Sequence, residues 1–268
     1  VRDETSFAGE REYLFLNPTV REMSYESIPW DERREYHSRV AAWLMARSDE
    51  EVNEHLGLIA DHLEGAGQVE QAVIYLRQAG EQAAQRFANA EAVGYFSRAL
   101  DLIPESEGKR RYQLLLAREE VLRLLGDRKA HRENLVMLEA LADALDEGGA
   151  EGAARRAEVS LRWSSFGEEV SDYLRAIEMA QRAIEAAHEA GDLGREARAH
   201  AGWGYALLRK GTYEEAQDQL NAALELAHEA EDLEIQTQSL LNLGFNYYLQ
   251  NNLIEADAYC RQALEAYQ

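Results

Sequence analysis

The stretch AHEAGDL at residues 187–193 returns as AHEAEDL at residues 227–233, so a seven-residue pattern is copied forty positions further along the chain. The segments around these copies keep the same register. Small or apolar residues recur at matching positions of three successive stretches, namely Ala176, Ala180 and Ala183, then Ala216, Leu220 and Ala223, then Ala256, Cys260 and Ala263. A fixed period of this length predicts stacked helical units, each of which packs mainly against its neighbours.

Helical periodicity extends over most of the chain, because apolar residues recur three or four positions apart. We predict that several helices end at a residue in the left-handed conformation, at Gly67, Gly126, Gly211 and Asn251. Asp31 is predicted to be the N-cap of the first helix. The predicted helices span residues 31–46, 52–65, 69–86, 89–102, 109–126, 130–146, 151–166, 171–190, 194–210, 213–230, 234–250 and 253–267.

Small side chains are predicted to set the distance between the two helices of each pair. Ala216 and Ala223 would let one helix nest against its partner at Gly204. A glycine inside a helix costs about 1 kcal/mol relative to alanine, and close packing compensates for that loss. The predicted packing residues are Ala176, Ala183, Gly204, Ala216, Ala223, Gly244, Ala256 and Ala263. Cys260 belongs to the same pattern and is predicted to be a small buried core residue.

The composition is that of a folded, helix-rich protein, with 46% hydrophobic residues, 29% charged residues and three prolines. The formal net charge of −22 argues against nucleic acid as a partner, because phosphate binding requires clustered Lys and Arg. Residues 201–268 hold eleven acidic and three basic side chains, so we expect a charged partner of this end to be basic. The alternative is an acidic surface that serves solubility.

The sequence also bears on the compartment. No stretch approaches the roughly 20 apolar residues of a membrane-spanning helix, so no membrane association is predicted. A single cysteine excludes an internal disulfide and favours a reducing cytoplasm. The chain does not begin with methionine, and we therefore expect it to be a fragment of a longer protein.

The residue patterns expected of a nucleotide or metal site are incomplete. Gly108 and Lys109 lack the upstream glycine of a phosphate-binding loop. His55 and His62 lie seven residues apart on one helix face, where they would bind a metal or, on the alternative interpretation, serve as surface or packing residues.

Acid–base and nucleic-acid sites are not predicted either. Glu168 and Glu169 are adjacent, and adjacent side chains of a helix point apart, which disfavours a joint acid–base role. The basic residues at 109–111 and 128–129 are interpreted as a solvated helix start and turn. We predict no catalytic residue, no cofactor and no metal, and hence a chain that is not itself an enzyme.

The C-terminal part resembles a tetratricopeptide repeat, although the period of forty exceeds the usual 34 residues of that family. Its second-helix pattern also recurs at residues 72–79 and 92–99, whereas residues 109–146 match poorly. The resemblance implies an all-α fold, a right-handed superhelix of antiparallel helix pairs. The matching residues are Gly204, Gly211, Ala216, Leu220 and Ala223, then Asn242, Leu243, Gly244, Tyr247, Ala256 and Ala263.

In that family the first helix of each pair lines a concave groove that binds a protein or peptide. The resemblance therefore implies groove contacts at Arg198, Tyr205, Arg209, Gln238, Phe245 and Tyr248. Aromatic and arginine side chains are enriched at binding hot spots. The alternative is that the aromatic residues only pack neighbouring repeats. The Lys and Asn pair that grips a C-terminal carboxylate in some members is replaced by Leu241 and Phe245, so that mode is not predicted.

A second resemblance covers about 35 residues near the N-terminus. Residues 15–18, 20–22, 25, 28–29, 33–34, 37, 40–41 and 43–44 resemble the junction of signal-transducing ATPases of the AAA or NB-ARC-like type, in which a small helical or winged-helix domain leads into tetratricopeptide repeats. Asn17 departs from the histidine that is frequent there. The resemblance implies that residues 1–48 end a preceding domain, that residues 49–268 form the repeat array, and that Arg33 and Arg34 face the neighbouring domain.

These observations predict a non-catalytic sensor or scaffold region of a larger cytoplasmic signal-transducing ATPase. Its partners would be a protein or peptide, of basic character, and the upstream nucleotide-binding domain of the same chain. The alternative is the peptide-receptor domain of a transcriptional regulator, or a stand-alone adaptor. An enzyme in its own right is the third hypothesis.

Overall fold

The structure is a computed structural model that describes Tyr13, residues 15–47 and residues 49–266. The predictions that fall on residues 1–12, 14, 48, 267 and 268 lie outside the described residues; they concern parts of the predicted N-terminal domain and the end of the last predicted helix. The described residues form fourteen α-helices and no strand. The chain divides into two compact units between Pro104 and Glu105, called unit 1 and unit 2 in chain order.

Unit 1 is a stack of helices in which α2 packs on α4, α4 on α5 and α5 on α6. Its core contains Ala41, Leu44, Ile59, Leu63 and Ala72, all of them buried. The helices are α1 (Pro18–Glu26), α2 (Trp30–Met45), α3 (Asp49–Glu54), α4 (Leu56–Gly65), α5 (Val69–Gln85) and α6 (Asn89–Leu102).

Unit 2 contains four helix pairs in which each helix packs against the next one along the chain. In addition α9 contacts α11 and α11 contacts α13, so the first helices of these successive pairs lie side by side. The helices are α7 (Gly108–Leu125), α8 (Arg128–Ala144), α9 (Gly149–Glu169), α10 (Tyr173–Ala190), α11 (Leu193–Lys210), α12 (Tyr213–Glu229), α13 (Leu233–Leu249) and α14 (Leu253–Ala266).

The copied heptapeptide forms the same turn in both places. Asp192 and Asp232 cap the helices that follow, since their side chains accept hydrogen bonds from the backbone N–H of Arg195 at 2.9 Å and Ile235 at 3.0 Å. The residue before each aspartate has a positive φ. The left-handed conformation predicted at Gly67, Gly126, Gly211 and Asn251 is confirmed, with φ values of 72°, 75°, 84° and 59°.

Three local predictions were wrong. Asp31 is not an N-cap, because α2 begins one residue earlier and Pro29 holds that place. Helix α1 was not predicted; Pro18 fits its first position, and the Asn17 side chain caps the helix by accepting from Thr19 N–H at 2.9 Å. The helix predicted at residues 52–65 is two helices, because His55 leaves the helical conformation between α3 and α4.

The predicted packing residues lie on helices α10 to α14 of unit 2. All of them are buried, with Ala256 the most exposed of the alanines at 8%. A Cβ added at Gly204 would lie 2.7 Å from Leu220 Cγ and 3.2 Å from the Ala216 carbonyl oxygen. At the equivalent Gly244 it would lie 3.3 Å from the Ala256 carbonyl oxygen. The two glycines therefore face the second helix of their own pair.

Cys260 is exposed, so its prediction as a buried core residue was wrong. It contacts the preceding helix, since a Cβ on Gly244 would lie 3.0 Å from its Sγ. The equivalent residue one repeat earlier, Leu220, is fully buried because α12 packs against both α11 and α13. Within the described residues α14 packs in this way against α13 alone, and one side of Cys260 stays uncovered.

The two arginines predicted to face a neighbouring domain, Arg33 and Arg34, have hydrogen-bond partners within unit 1, and their contact with such a domain stays a prediction. Arg33 donates from Nε to the carbonyl oxygen of Ile28 at 2.7 Å, which ties α2 to the turn after α1. Arg34 donates from Nε to the carbonyl oxygen of Ala66 at 3.1 Å, at the end of α4. Carbonyl groups at a helix end have no partner within the helix, and these guanidinium groups supply a donor to one of them.

Candidate functional site

A groove of about 410 Å³ lies in unit 2 between α9, α11 and α13, the first helices of three successive pairs. Its walls combine a few apolar side chains with several polar ones. The polar part of the lining includes Ser164, Glu168, Arg198, Tyr205, Gln238 and Asn242. The repeat builds this surface, because side chains forty residues apart, such as Arg198 and Gln238, take equivalent places on adjacent helices.

Three of the six predicted contact residues line the groove, namely Arg198, Tyr205 and Gln238. Arg198 is the cation of this lining. Its side chain is 53% exposed, and its nearest acidic partners, Asp232 and Glu234, lie at 3.9 and 4.0 Å.

The other three predicted residues lie outside the groove lining. Arg209 donates from Nη1 to the Tyr205 hydroxyl at 3.0 Å, and its guanidinium lies 5.5 Å from the centroid of the Tyr173 ring. Phe245 and Tyr248 stack on each other at 6.3 Å on α13 and are 42% and 59% exposed. Their role as partner contacts stays a prediction.

Glu168 and Asn242 also line the groove, and sequence reasoning missed both as binding residues. Glu168 has a signal in the repeat register, because the equivalent positions forty and eighty residues later hold Leu208 and Tyr248. A carboxyl group therefore stands where two other repeats carry an apolar or aromatic side chain. Asn242 has no comparable signal, because its burial depends on how α13 packs.

A second cavity of about 610 Å³ lies between α7, α9 and α11, and Arg198 lines both cavities. Its lining includes Glu119, which is only 2% exposed. His131 on α8 donates from Nε2 to Glu119 Oε1 at 2.7 Å, and Arg162 on α9 donates to the other carboxylate oxygen. One buried carboxylate thus joins three consecutive helices.

The charge on Glu119 is stabilised by its partners. Burial opposes ionisation of this carboxyl, but the hydrogen bond from His131 and the positive charge of Arg162 outweigh it and lower the pKa of Glu119. Arg162 also pairs with Glu158, at 2.8 Å. A buried charge of this kind is maintained only while its partners are present.

The histidines and the basic stretch have structural partners. His62 Nδ1 lies 2.9 Å from His37 Nδ1, and burial together with the charge of His37 lowers the pKa of His62. Lys109 lies 3.8 Å from Glu151, and Arg110 lies 2.6 Å from Glu107. Among the described residues no group of three or more His, Cys, Asp or Glu could hold a metal ion.

In the described part of the chain, no helix combines the length and the apolar character that crossing a membrane requires. A scan against protein-family models found no match. A search of curated proteins found no match either.

Solved structures do resemble this chain. BtubC (BKLC) from P. vanneervenii has a TM-score of 0.62 at 13% identity, over 90% of this chain and 91% of that chain. The apo form of RapI has a TM-score of 0.62 at 14% identity, over 92% and 74% of the two chains. A Rap protein complexed with competence and sporulation factor has a TM-score of 0.58 at 14% identity, over 92% and 76%.

At these identities the likeness concerns the fold alone. It agrees with the helix pairs described above, and the predicted fold class is confirmed: the chain is all-α, with helical repeats of the tetratricopeptide type.

Proposed function

We propose that this array of tetratricopeptide type is a non-catalytic scaffold that binds a protein or peptide in the groove between α9, α11 and α13. The observation that carries the proposal is the convergence of Arg198, Tyr205 and Gln238 on one groove. These side chains offer a guanidinium, an aromatic ring and a carboxamide, the groups that recognise peptide side chains and main chain.

The chemistry of the groove supports binding rather than turnover. Its hydroxyl groups are those of Ser164, Ser165 and Tyr205, and none of them is hydrogen bonded to a general base among the described residues. Ser164 donates to the Ala176 carbonyl oxygen at 2.9 Å, and the Tyr205 hydroxyl accepts from Arg209. One protein of the same fold was solved in complex with competence and sporulation factor, which is consistent with a ligand-binding role for such an array.

A groove-blocking variant tests the proposal. Gly202 lies on α11, and a Cβ added there would lie 3.2 Å from Glu168 Oε1 and 3.6 Å from Ser164 Oγ. A leucine at this place fills part of the groove. We expect a random linear peptide library, panned on the wild-type protein, to yield peptides whose affinity falls at least about tenfold in Gly202→Leu, a loss of about 1.4 kcal/mol measured by titration calorimetry.

The matched control is Gly94→Leu, since Gly94 lies in α6 and a Cβ there meets nothing within 4 Å. This variant is expected to bind the selected peptides with wild-type affinity. Unchanged circular dichroism of both variants shows that the fold persists. Peptides that bind Gly202→Leu as tightly as the wild type, or a library that yields none, contradict the proposal.

We further propose that the array belongs to a larger cytoplasmic signal-transducing ATPase and contacts its upstream nucleotide-binding domain. Apolar side chains of unit 1 support this, because Val20, Met23 and Tyr36 on α1 and α2 are 49%, 65% and 46% exposed. The predicted boundary between a preceding domain, which ends at residue 48, and the repeat array, which begins at residue 49, is part of this proposal. The alternative is a peptide-receptor domain of a transcriptional regulator or a stand-alone adaptor.

The natural chain before Val1 separates these proposals. A strand followed by a phosphate-binding loop of the type Gly-x-x-x-x-Gly-Lys-Ser/Thr is the expected result for the ATPase. A helix-turn-helix there would favour the transcriptional regulator. If the natural chain begins near Val1, the stand-alone adaptor is favoured and the proposal of a larger ATPase is contradicted.

A further inference from the structure

Glu168 is a largely buried acid that has no partner in the protein. Its carboxyl group points toward Gly202 on α11, where an added Cβ would lie 3.2 Å from Oε1. Within the part of the chain that the structure describes, neither of its carboxyl oxygens has a hydrogen-bond or ion-pair partner. Burying an acid without a partner is costly, and burial together with the charge of Glu169 raises the pKa of Glu168 to about 8.

The opposite wall of the groove carries a second unsatisfied group. Asn242 on α13 is 8% exposed and lines the same groove. Its Oδ1 accepts a long hydrogen bond of 3.3 Å from Gln238, whereas its Nδ2 has no partner among the described residues. An amide donor and a carboxyl group, neither of them bonded within the protein, therefore line one groove from two helices, and an occupant can form a hydrogen bond or ion pair with each.

We propose that the groove binds a peptide segment through one lysine or arginine side chain, which pairs with Glu168, while Asn242 donates to a carbonyl oxygen of the segment's main chain. This rests on the proposed function and names the chemistry of its partner. Charge complementarity supports a basic occupant, because the lining carries two acids, Glu168 and Glu169, against one cation, Arg198.

An acidic occupant fits less well. Arg198, the exposed cation of the lining, already lies near Asp232 and Glu234, and Glu168 would repel a second carboxylate once ionised. A basic side chain instead stabilises the ionised form of Glu168. Binding is thus coupled to release of the proton that Glu168 carries at neutral pH.

The pH dependence follows from the surroundings of Glu168. The other charged or ionisable groups on the elements around this part of α9 include Glu169 on α9 itself, Glu119 and Arg123 on α7, Arg128 and His131 on α8, Arg175 on α10, and Arg198 and Tyr205 on α11. The groove residues of α13, Ile235, Gln238 and Asn242, carry no charge. Below about pH 8, each fall of one pH unit is expected to weaken the binding of the basic peptide by up to about tenfold.

The test uses peptides selected on the wild-type protein at about pH 8 from the random library. We expect a lysine or arginine at one fixed place in these peptides. Glu168→Gln is expected to reduce the affinity for such a peptide by about tenfold or more, and to abolish the rise of affinity with pH. Replacing that basic residue of the peptide by norleucine is expected to have the same effect on the wild type and little effect on Glu168→Gln.

The matched control is Glu178→Gln, which removes the same charge from an exposed position of α10 outside the groove lining. It is expected to leave the affinity unchanged. Two results overturn this inference and leave the proposed function intact. The first is a set of peptides that lose affinity in Gly202→Leu but carry no basic residue, and the second is equal affinity of the peptides for Glu168→Gln and Glu178→Gln. A library that yields no peptide overturns both.

Discussion

Glu119→Ala is expected to lower the free energy of unfolding by about 3 to 5 kcal/mol, measured by urea denaturation. The carboxylate is 2% exposed and is the shared acceptor for His131 and Arg162. Its removal leaves the imidazole, whose side chain is 3% exposed, without this partner. Glu119→Gln retains the shape of the side chain and is expected to lose less stability than the alanine variant.

Glu120→Ala is the matched control for this prediction. Glu120 is the next residue, its side chain is 64% exposed, and it lies 3.4 Å from the same guanidinium of Arg162. Exposed ion pairs contribute about 0 to 1 kcal/mol, so the free energy of unfolding of this control is expected to be close to that of the wild type. Equal effects of the two substitutions would contradict the role assigned to the buried carboxylate.

The effect of Glu119→Ala also depends on pH. Because the pKa of Glu119 in the folded protein lies below its ordinary value of 4.5, ionised Glu119 stabilises the fold above that value. This contribution is lost as the pH falls through the pKa of the folded state. The difference in the free energy of unfolding between the wild type and Glu119→Ala is therefore expected to be largest at neutral pH and to narrow as the pH falls below 4.5. A difference that stays constant down to acid pH would contradict this assignment.

Gly204→Ala is expected to destabilise the protein by about 1 kcal/mol, although alanine is the better helix former. Overfilling a packed contact costs about 1 to 3 kcal/mol, and the gain in helix propensity offsets about 1 kcal/mol of this. The new Cβ would lie 2.7 Å from Cγ of Leu220, which is fully buried and cannot move into solvent. The shift in the urea unfolding midpoint measures the effect.

The same substitution at Gly94 is the control. Gly94 is exposed within α6, and an added Cβ meets nothing within 4 Å. Gly94→Ala is therefore expected to stabilise unit 1 by about 0.5 to 1 kcal/mol through the unfolded state. If both substitutions stabilise the protein, close helix contact is not the reason for glycine at position 204.

The helices of unit 2 were predicted from the sequence to within a few residues, because their ends carry strong local signals. Asp192 caps a helix through its own side chain, and Gly211 tolerates a positive φ. The errors fell where a local signal has two meanings. Proline ends many helices, but Pro18 begins one, and the helical pattern near His55 hides a short interruption.

The groove was predicted only in part. Arg198, Tyr205 and Gln238 line it, as expected for the first helix of each pair. Glu168 was considered only as one of two adjacent acids, and it acquires its raised pKa from burial beside Gly202, a contact between helices that lie far apart in the sequence. Phe245 and Tyr248 have the residue types of a binding site but lie outside this cavity.

The sequence by itself determined the repeat. Spacing, capping residues and small side chains act within one helix pair, and they recur every forty residues, so they can be read without knowing how distant segments meet. The tertiary structure alone decided which polar groups are withdrawn from solvent and which of them are paired. Burial of Glu168 and Asn242, and the pairing of Glu119 with His131 and Arg162, arise where three helices meet. The dielectric environment of a side chain depends on how these helices pack against each other and not on its neighbours in the sequence.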